Sequence, residues 1–141
     1  MNEFRYKTRL LPISLCLASV FACFAYAYLR SDLPDWWRNH GGGVPYVIFW
    51  ITLWFAIFPK PKFIIAICVG CVLITCLLEF LQAVEMPQLL EDFRRTRLGA
   101  AWLGYGFDVL DIPPYFLGGV IGWWLVKLVS LGTPQIWSRT G

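Results

Sequence analysis

The fold is decided by a stretch of twenty uncharged residues near the start of the chain. Residues 10–29 have the sequence LLPISLCLASVFACFAYAYL. At a rise of about 1.5 Å per residue, a helix of this length covers the roughly 30 Å hydrocarbon core of a bilayer. The stretch is longer than the core of a typical signal peptide, which has about 7–15 apolar residues. We therefore predict an uncleaved transmembrane helix.

The composition of the whole chain agrees with this prediction. Hydrophobic residues make up 58% of the 141 residues and charged residues 15%, against about 45–50% and about 25% in soluble domains. This balance excludes an ordinary soluble domain and a disordered chain. The net charge of +3 is small and spread along the chain, so the sequence has no nucleic-acid-binding footprint.

Three more apolar stretches follow the first, at residues 44–59, 63–84 and 114–131. The sequence therefore predicts an all-α fold, an integral membrane bundle of four transmembrane helices. No internal repeat or linker divides the chain, so we expect one transmembrane domain over residues 1–141. With the N-terminus in the cytoplasm, seven basic residues lie inside and five outside, which favours cytoplasmic N- and C-termini.

The connections between the spans carry signals of their own. In the first, residues 31–34 have the pattern of a helix start and glycines 41–43 that of a helix stop. In the long connection before the last span, Leu89, Leu90, Phe93 and Arg97 fall at helical spacing and predict an interfacial amphipathic helix. The apolar residues 98–107 are too few to cross a bilayer, and they predict a re-entrant or interfacial segment.

Cysteines and glycines inside the spans predict close helix packing. All five cysteines lie in spans, so the Cys68-Val-Gly-Cys71 motif favours packing over a disulfide, a redox centre or a metal site. We expect no metal and no cofactor. Gly118, Gly119 and Gly122 allow two helices to approach closely, and we favour contacts within the bundle over dimerisation.

The most informative residue is Glu79, because a carboxylate in a span costs several kcal/mol unless it faces protein, water or a partner. It lies about 7 Å from the end of its helix, near the membrane side where the last span begins. The polar stripes of these two spans therefore end at one level, and arginines of the connection supply counter-charges. The predicted cluster consists of Glu79, Gln82, Arg94, Arg95, Arg97, Asp108, Asp111 and Tyr115.

Two interpretations of this cluster stay open. It is either a charge-paired latch that closes the bundle, or a polar pocket for a lipid headgroup. Arginine side chains bind phosphate in a bidentate manner, which favours an anionic headgroup as ligand. An enzyme acting on the headgroup, with Glu79 or Asp108 as base, is the alternative, although the cluster offers no recognisable nucleophile or histidine base.

These residues also carry a family resemblance. The motif runs from Glu79-Phe-Leu-Gln82 through Arg94, Thr96, Asp108 and Asp111 to a glycine-rich last helix. It resembles the bacterial membrane family known as domain of unknown function 2809, a relative of the VanZ-like proteins. The resemblance implies a small four-helix membrane protein of uncharacterised activity. VanZ-like relatives are associated with resistance to glycopeptides that bind lipid-linked cell-wall precursors.

Taken together, these observations predict a multi-pass membrane protein whose partners are membrane lipids. We expect it to bind or shield anionic lipid or lipid-linked headgroups, or to act as a structural subunit that assembles with partner membrane proteins. The alternative is an intramembrane enzyme acting on a lipid headgroup.

Overall fold

The structure is a computed structural model that describes residues 2–83, 88, 92–93, 95–96 and 108–132. The long helices in this part of the chain are α1 (Asn2–Leu29), α2 (Asp35–His40), α3 (Gly43–Ile57), α4 (Ile64–Ala83) and α5 (Ile112–Gly132). Single 3-10 turns occupy Arg30–Asp32, Pro61–Phe63 and Val109–Asp111. Over these ranges the chain forms no β-strand, and the fold is all-helical.

Three helical segments of the described chain are long and apolar enough to cross a membrane: Arg9–Asp32, Pro61–Leu81 and Val109–Leu131. The fourth apolar helix, α3, has 15 residues, and at about 1.5 Å per residue it is about 22 Å long. That is shorter than the roughly 30 Å hydrocarbon core. An all-helical membrane-type fold is therefore confirmed, whereas the number of four crossings stays a prediction.

The helix boundaries differ from the predicted ones for local reasons. Gly43 is not part of a helix stop, because it is the first residue of α3. That helix ends at Ile57, before Pro59, since a residue that precedes proline disfavours the helical conformation. The last helix begins at Ile112, two residues earlier than predicted. Its prolines lie in the first turn, where backbone N–H groups have no partner within the helix.

Most of the long connection before α5 lies outside the described residues. This includes the predicted re-entrant segment at 98–107 and, from the predicted amphipathic helix, Leu89, Leu90 and Arg97. Asp92 and Phe93 are described, and both are helical and exposed. Both segments remain predictions.

Helix α3 lies at the centre of the bundle, where it packs against α1, α4 and α5. Its residues Val47, Ile51 and Phe55 are spaced four apart and are almost completely buried, as expected for one face of a helix. Cys68 and Val72 of α4 complete the core from the other side. A pair of hydroxyls, Ser19 on α1 and Thr52 on α3, lies 2.8 Å apart in the interior, so a polar contact joins α1 to α3.

The glycines of α5 pack inside the bundle, as predicted. A Cβ atom added to Gly118 would lie 2.7 Å from the Val44 carbonyl oxygen, and one added to Gly119 would lie 2.5 Å from a methyl group of Val72. The first glycine therefore allows contact with α3 and the second with α4. The five cysteines are all free thiols, and Cys68 and Cys71 lie in the core, which confirms their packing role.

Candidate functional site

The candidate site is built around the buried carboxylate of Glu79. This residue lies in the penultimate turn of α4 and is only 4% exposed. Its Oε1 accepts a hydrogen bond from the backbone N–H of Asp108 at 3.0 Å, and its Oε2 accepts one from the Tyr115 hydroxyl at 2.8 Å. Buried carboxylates need such partners. Glu79 therefore joins the end of α4 to the start of α5.

Asp108 shapes the chain where α5 begins. One oxygen of its carboxylate, Oδ1, accepts a hydrogen bond from the Leu110 N–H at 2.9 Å and so caps the 3-10 turn that precedes α5. Aspartate suits this position because its short side chain reaches backbone N–H groups that lack a helical partner. The Asp108 backbone thus binds Glu79, while its side chain is 47% exposed. Its carboxylate is accessible at the end of the bundle.

The histidine of the first connection joins these acids. His40 Nδ1 lies 2.8 Å from Asp111 Oδ1 and 3.8 Å from Asp108 Oδ2. An ionised carboxylate only accepts hydrogen bonds, so opposite an ionised Asp111 the donor of this contact is Nδ1–H of the ring. The His40 side chain is 14% exposed and that of Asp111 27%. We call the four residues His40, Glu79, Asp108 and Asp111 the acid–imidazole cluster.

His40 is the last residue of α2, and contacts with α1 fix the position of this helix. The Tyr26 hydroxyl of α1 donates a hydrogen bond to the Trp37 carbonyl oxygen at 2.6 Å. A Cβ atom added to Gly41 would lie 3.3 Å from the Tyr26 ring and still closer to Trp37. This close packing brings the last residue of α2 over the start of α5.

Gly43, the first residue of α3, packs against Tyr115 and so fixes the position of this hydrogen-bond partner of Glu79. The Tyr115 ring lies against Gly43, where an added Cβ atom would be 2.7 Å from two ring carbons. Gly43 therefore leaves room for the ring that carries the hydroxyl to Glu79. The cluster lies where α3 and α5 begin and where α4 ends.

The structure brings together four of the eight residues of the predicted cluster: Glu79, Asp108, Asp111 and Tyr115. Arg95 is exposed in a turn. Gln82 lies in the last turn of α4, but its side chain is outside the described set, as are Arg94 and Arg97. The two Glu79 contacts to the start of α5 are hydrogen bonds from a backbone N–H and a phenol, and pairing with the arginines stays a prediction.

His40 is the residue that sequence reasoning missed. A lone histidine in a loop matches no motif, so its residue type gave no signal. Its position did, because the predicted topology puts the first connection on the same membrane side as Asp108 and Asp111. An acid pair with an imidazole at that level could have been inferred from connectivity alone.

The arrangement can bind polar groups and move protons. Asp108 and Asp111 offer carboxylate oxygens to an amine or a hydroxyl, and the imidazole–carboxylate pair of His40 and Asp111 has the form of an oriented base. Within the described residues, no set of three or more histidine, cysteine, aspartate or glutamate side chains is arranged to hold a metal ion.

Comparison with known proteins identifies the family. The family described as "Protein of unknown function (DUF2809)" matches residues 33–119, more than half of the chain. The chain belongs to the DUF2809 family. The matched segment includes all four residues of the acid–imidazole cluster. No curated protein and no solved structure shows significant similarity to this DUF2809 member.

Proposed function

We propose that this DUF2809 protein is a multi-pass membrane protein that binds a phosphate-bearing headgroup at the polar end of the bundle, with the hydroxyls or amine of the headgroup at the acid–imidazole cluster. The ligand is an anionic lipid or a lipid-linked molecule. In this proposal the whole chain is one domain with four crossings of the bacterial inner membrane and cytoplasmic termini. A relationship of the DUF2809 family to the VanZ-like proteins is part of the same proposal.

One observation carries the proposal: the contact of His40 with Asp111, beside the accessible carboxylate of Asp108. Two separate chain segments, α2 and the turn before α5, bring these polar groups to one end of the bundle. Glu79 lies below them and fixes the Asp108 backbone. Ionisable side chains in a membrane bundle are energetically costly to bury, and residues that are kept there are typically functional.

The chemistry of the cluster defines the headgroup class. The carboxylates of Asp108 and Asp111 accept hydrogen bonds from hydroxyls or amines. Arg94, Arg95 and Arg97 belong to the connection between α4 and α5, and their guanidinium groups suit phosphate oxygens. A headgroup with both a phosphate and hydroxyls or an amine satisfies both kinds of group.

Mass spectrometry of lipids that co-purify with the protein tests this proposal. We expect the wild type to retain a phosphate-bearing lipid that Asp111→Asn and Arg94→Ala lose. The mass of the retained species separates an ordinary phospholipid from a lipid-linked precursor. Asp35→Asn is the matched control, because Asp35 lies in α2 and pairs only with exposed Arg38 among the contacts seen. Equal lipid retention in all four proteins would refute headgroup binding.

A second candidate is an enzyme that acts on the headgroup, and the His40–Asp111 contact favours it. Asp111 orients the ring so that Nε2 can accept a proton from a water or a hydroxyl. For this candidate, we expect His40→Gln to abolish the turnover of a labelled lipid in vesicles while the protein still retains the lipid. If wild-type protein leaves all headgroups of an inner-membrane lipid extract intact, this candidate is wrong.

A third candidate is a purely structural role in assembling an envelope complex. The bonds from Asp108 and Tyr115 to Glu79 favour it, since they close the bundle at one end. In that case Glu79→Gln lowers bundle stability in detergent and no variant changes lipid retention.

A further inference from the structure

A second feature lies at the opposite end of the bundle, where α3 ends and α4 begins. It is an apolar groove of about 370 Å³ between these two helices. The residues that line it include Trp54 of α3, Phe58 just after that helix, and Phe63, Gly70 and Ile74 on the α4 side. We call it the α3–α4 groove.

Gly70 forms the floor of this groove. A Cβ atom added there would meet no atom within 4 Å, in contrast to Gly43, Gly118 and Gly119, which are tightly packed. Along α4 the groove runs from Phe63 to Ile74, about 16 Å at 1.5 Å per residue. That length is about half of the roughly 30 Å hydrocarbon core, so the groove has the depth of one membrane leaflet.

The shallow end of the groove carries aromatic rings. Trp54 and Phe58 stack with ring centroids 6.2 Å apart, and the Phe63 ring lies 6.5 Å from that of Phe58 at a steep angle. Tryptophan and tyrosine are enriched at the level of lipid headgroups. Trp54 therefore marks the end of the groove that faces the membrane surface.

Two lysines stand at this end, in the turn between α3 and α4. The Lys62 ammonium lies 5.2 Å from the centroid of the Phe63 ring, directly beside the groove wall. Lys60 precedes it in a tight turn, since its N–H donates to the Phe58 carbonyl at 2.7 Å. The apolar groove of leaflet depth thus ends beside the Lys62 ammonium, in the turn that also contains Lys60.

We propose that the α3–α4 groove binds one acyl chain of an anionic phospholipid, whose phosphate lies beside Lys60 and Lys62. Charge complementarity favours this occupant over a second copy of the chain. Copies that cross the membrane in the same direction have their lysines at the same depth, so a symmetric contact through this groove would bring four positive charges together. The site is independent of the acid–imidazole cluster.

Native mass spectrometry of the full chain in mild detergent tests the proposal. The probes are phosphatidylglycerol and phosphatidylcholine with identical acyl chains. We expect phosphatidylglycerol to bind more tightly to the wild type. Each of Lys60→Ala and Lys62→Ala lowers its affinity about fivefold, as expected for one basic residue near an anionic surface. Gly70→Leu fills the groove, so it removes the binding of both lipids.

Two controls separate this site from other lipid contacts. Lys127→Ala removes a lysine that stacks on Trp123 of α5 at 4.7 Å, and we expect it to leave lipid affinity unchanged. Because phosphatidylglycerol has the phosphate and hydroxyls that we propose for the acid–imidazole cluster, the measurements are repeated in an Asp111→Asn background, where we expect the effects of Lys60→Ala, Lys62→Ala and Gly70→Leu to persist. Circular dichroism checks that Gly70→Leu still folds, and Trp54→Ala, which shortens a groove wall, is a second test of lipid loss.

Several outcomes would overturn the proposal. If the wild type binds phosphatidylglycerol and phosphatidylcholine with equal affinity, the lysines do not contribute to lipid binding. Lipid binding to the Asp111→Asn background that Gly70→Leu and Trp54→Ala leave intact shows that the lipid lies outside the groove, and complete loss of lipid in Asp111→Asn alone assigns all binding to the cluster. A wild-type dimer that Gly70→Leu converts to a monomer makes a second copy the occupant.

Discussion

The hydrogen bond from Tyr115 to Glu79 gives the sharpest test of the site geometry. Tyr115→Phe removes only the hydroxyl, so the ring keeps its place against Gly43. Glu79 keeps the bond from the Asp108 N–H and loses the one at 2.8 Å. The variant therefore measures one hydrogen bond to a buried carboxylate.

The expected cost follows from two ranges. Hydrogen bonds to charged groups contribute about 1.5–3 kcal/mol, whereas side-chain bonds between membrane helices average about 0.6 and reach about 1.7 kcal/mol. Because this bond has a charged acceptor and is part-buried, we expect Tyr115→Phe to lower the free energy of unfolding by about 1.5 kcal/mol, where the two ranges overlap.

Unfolding by SDS titration in mixed micelles, followed by circular dichroism, measures this loss. Tyr28→Phe is the matched control, because Tyr28 is 85% exposed on α1, and we expect a change within about 0.5 kcal/mol. A double-mutant cycle with Glu79→Gln should give a coupling of at least about 0.5 kcal/mol. Equal losses in the two tyrosine variants, or no coupling, would refute the contact.

Three further predictions concern packing and polar contacts, and the same titration checks each of them. Gly43→Ala is expected to cost about 1–3 kcal/mol, because the new methyl group overlaps the Tyr115 ring; a neutral effect would contradict this packing. Gly70→Ala should instead be neutral or stabilise by up to about 1 kcal/mol, since it improves helix propensity in open space; a loss would show that the position is covered. Thr52→Val keeps the shape but removes the hydroxyl beside Ser19, so we expect a loss of about 0.6 kcal/mol; a gain in stability would contradict a favourable contact.

The sequence predicts the helices well because their apolar runs are long, and it predicts less of the polar end because that depends on contacts between segments. Glu79 stands out by residue type alone. One of its partners, the Asp108 backbone N–H, has no sequence signature, since every residue except proline carries that group. The pairing of His40 with Asp111 spans 71 positions of sequence. This pairing depends on how α2 is placed over the start of α5, and no local sequence periodicity encodes that placement.

The bonds to Glu79 have a consequence for biosynthesis. Ribosomes make α4 before α5, so this glutamate reaches the membrane before Asp108 and Tyr115, its hydrogen-bond donors. An acidic side chain without partners opposes insertion. Nascent α4 is therefore expected to stay near the translocon or the interface until α5 arrives, and α5 completes the insertion of the helix before it.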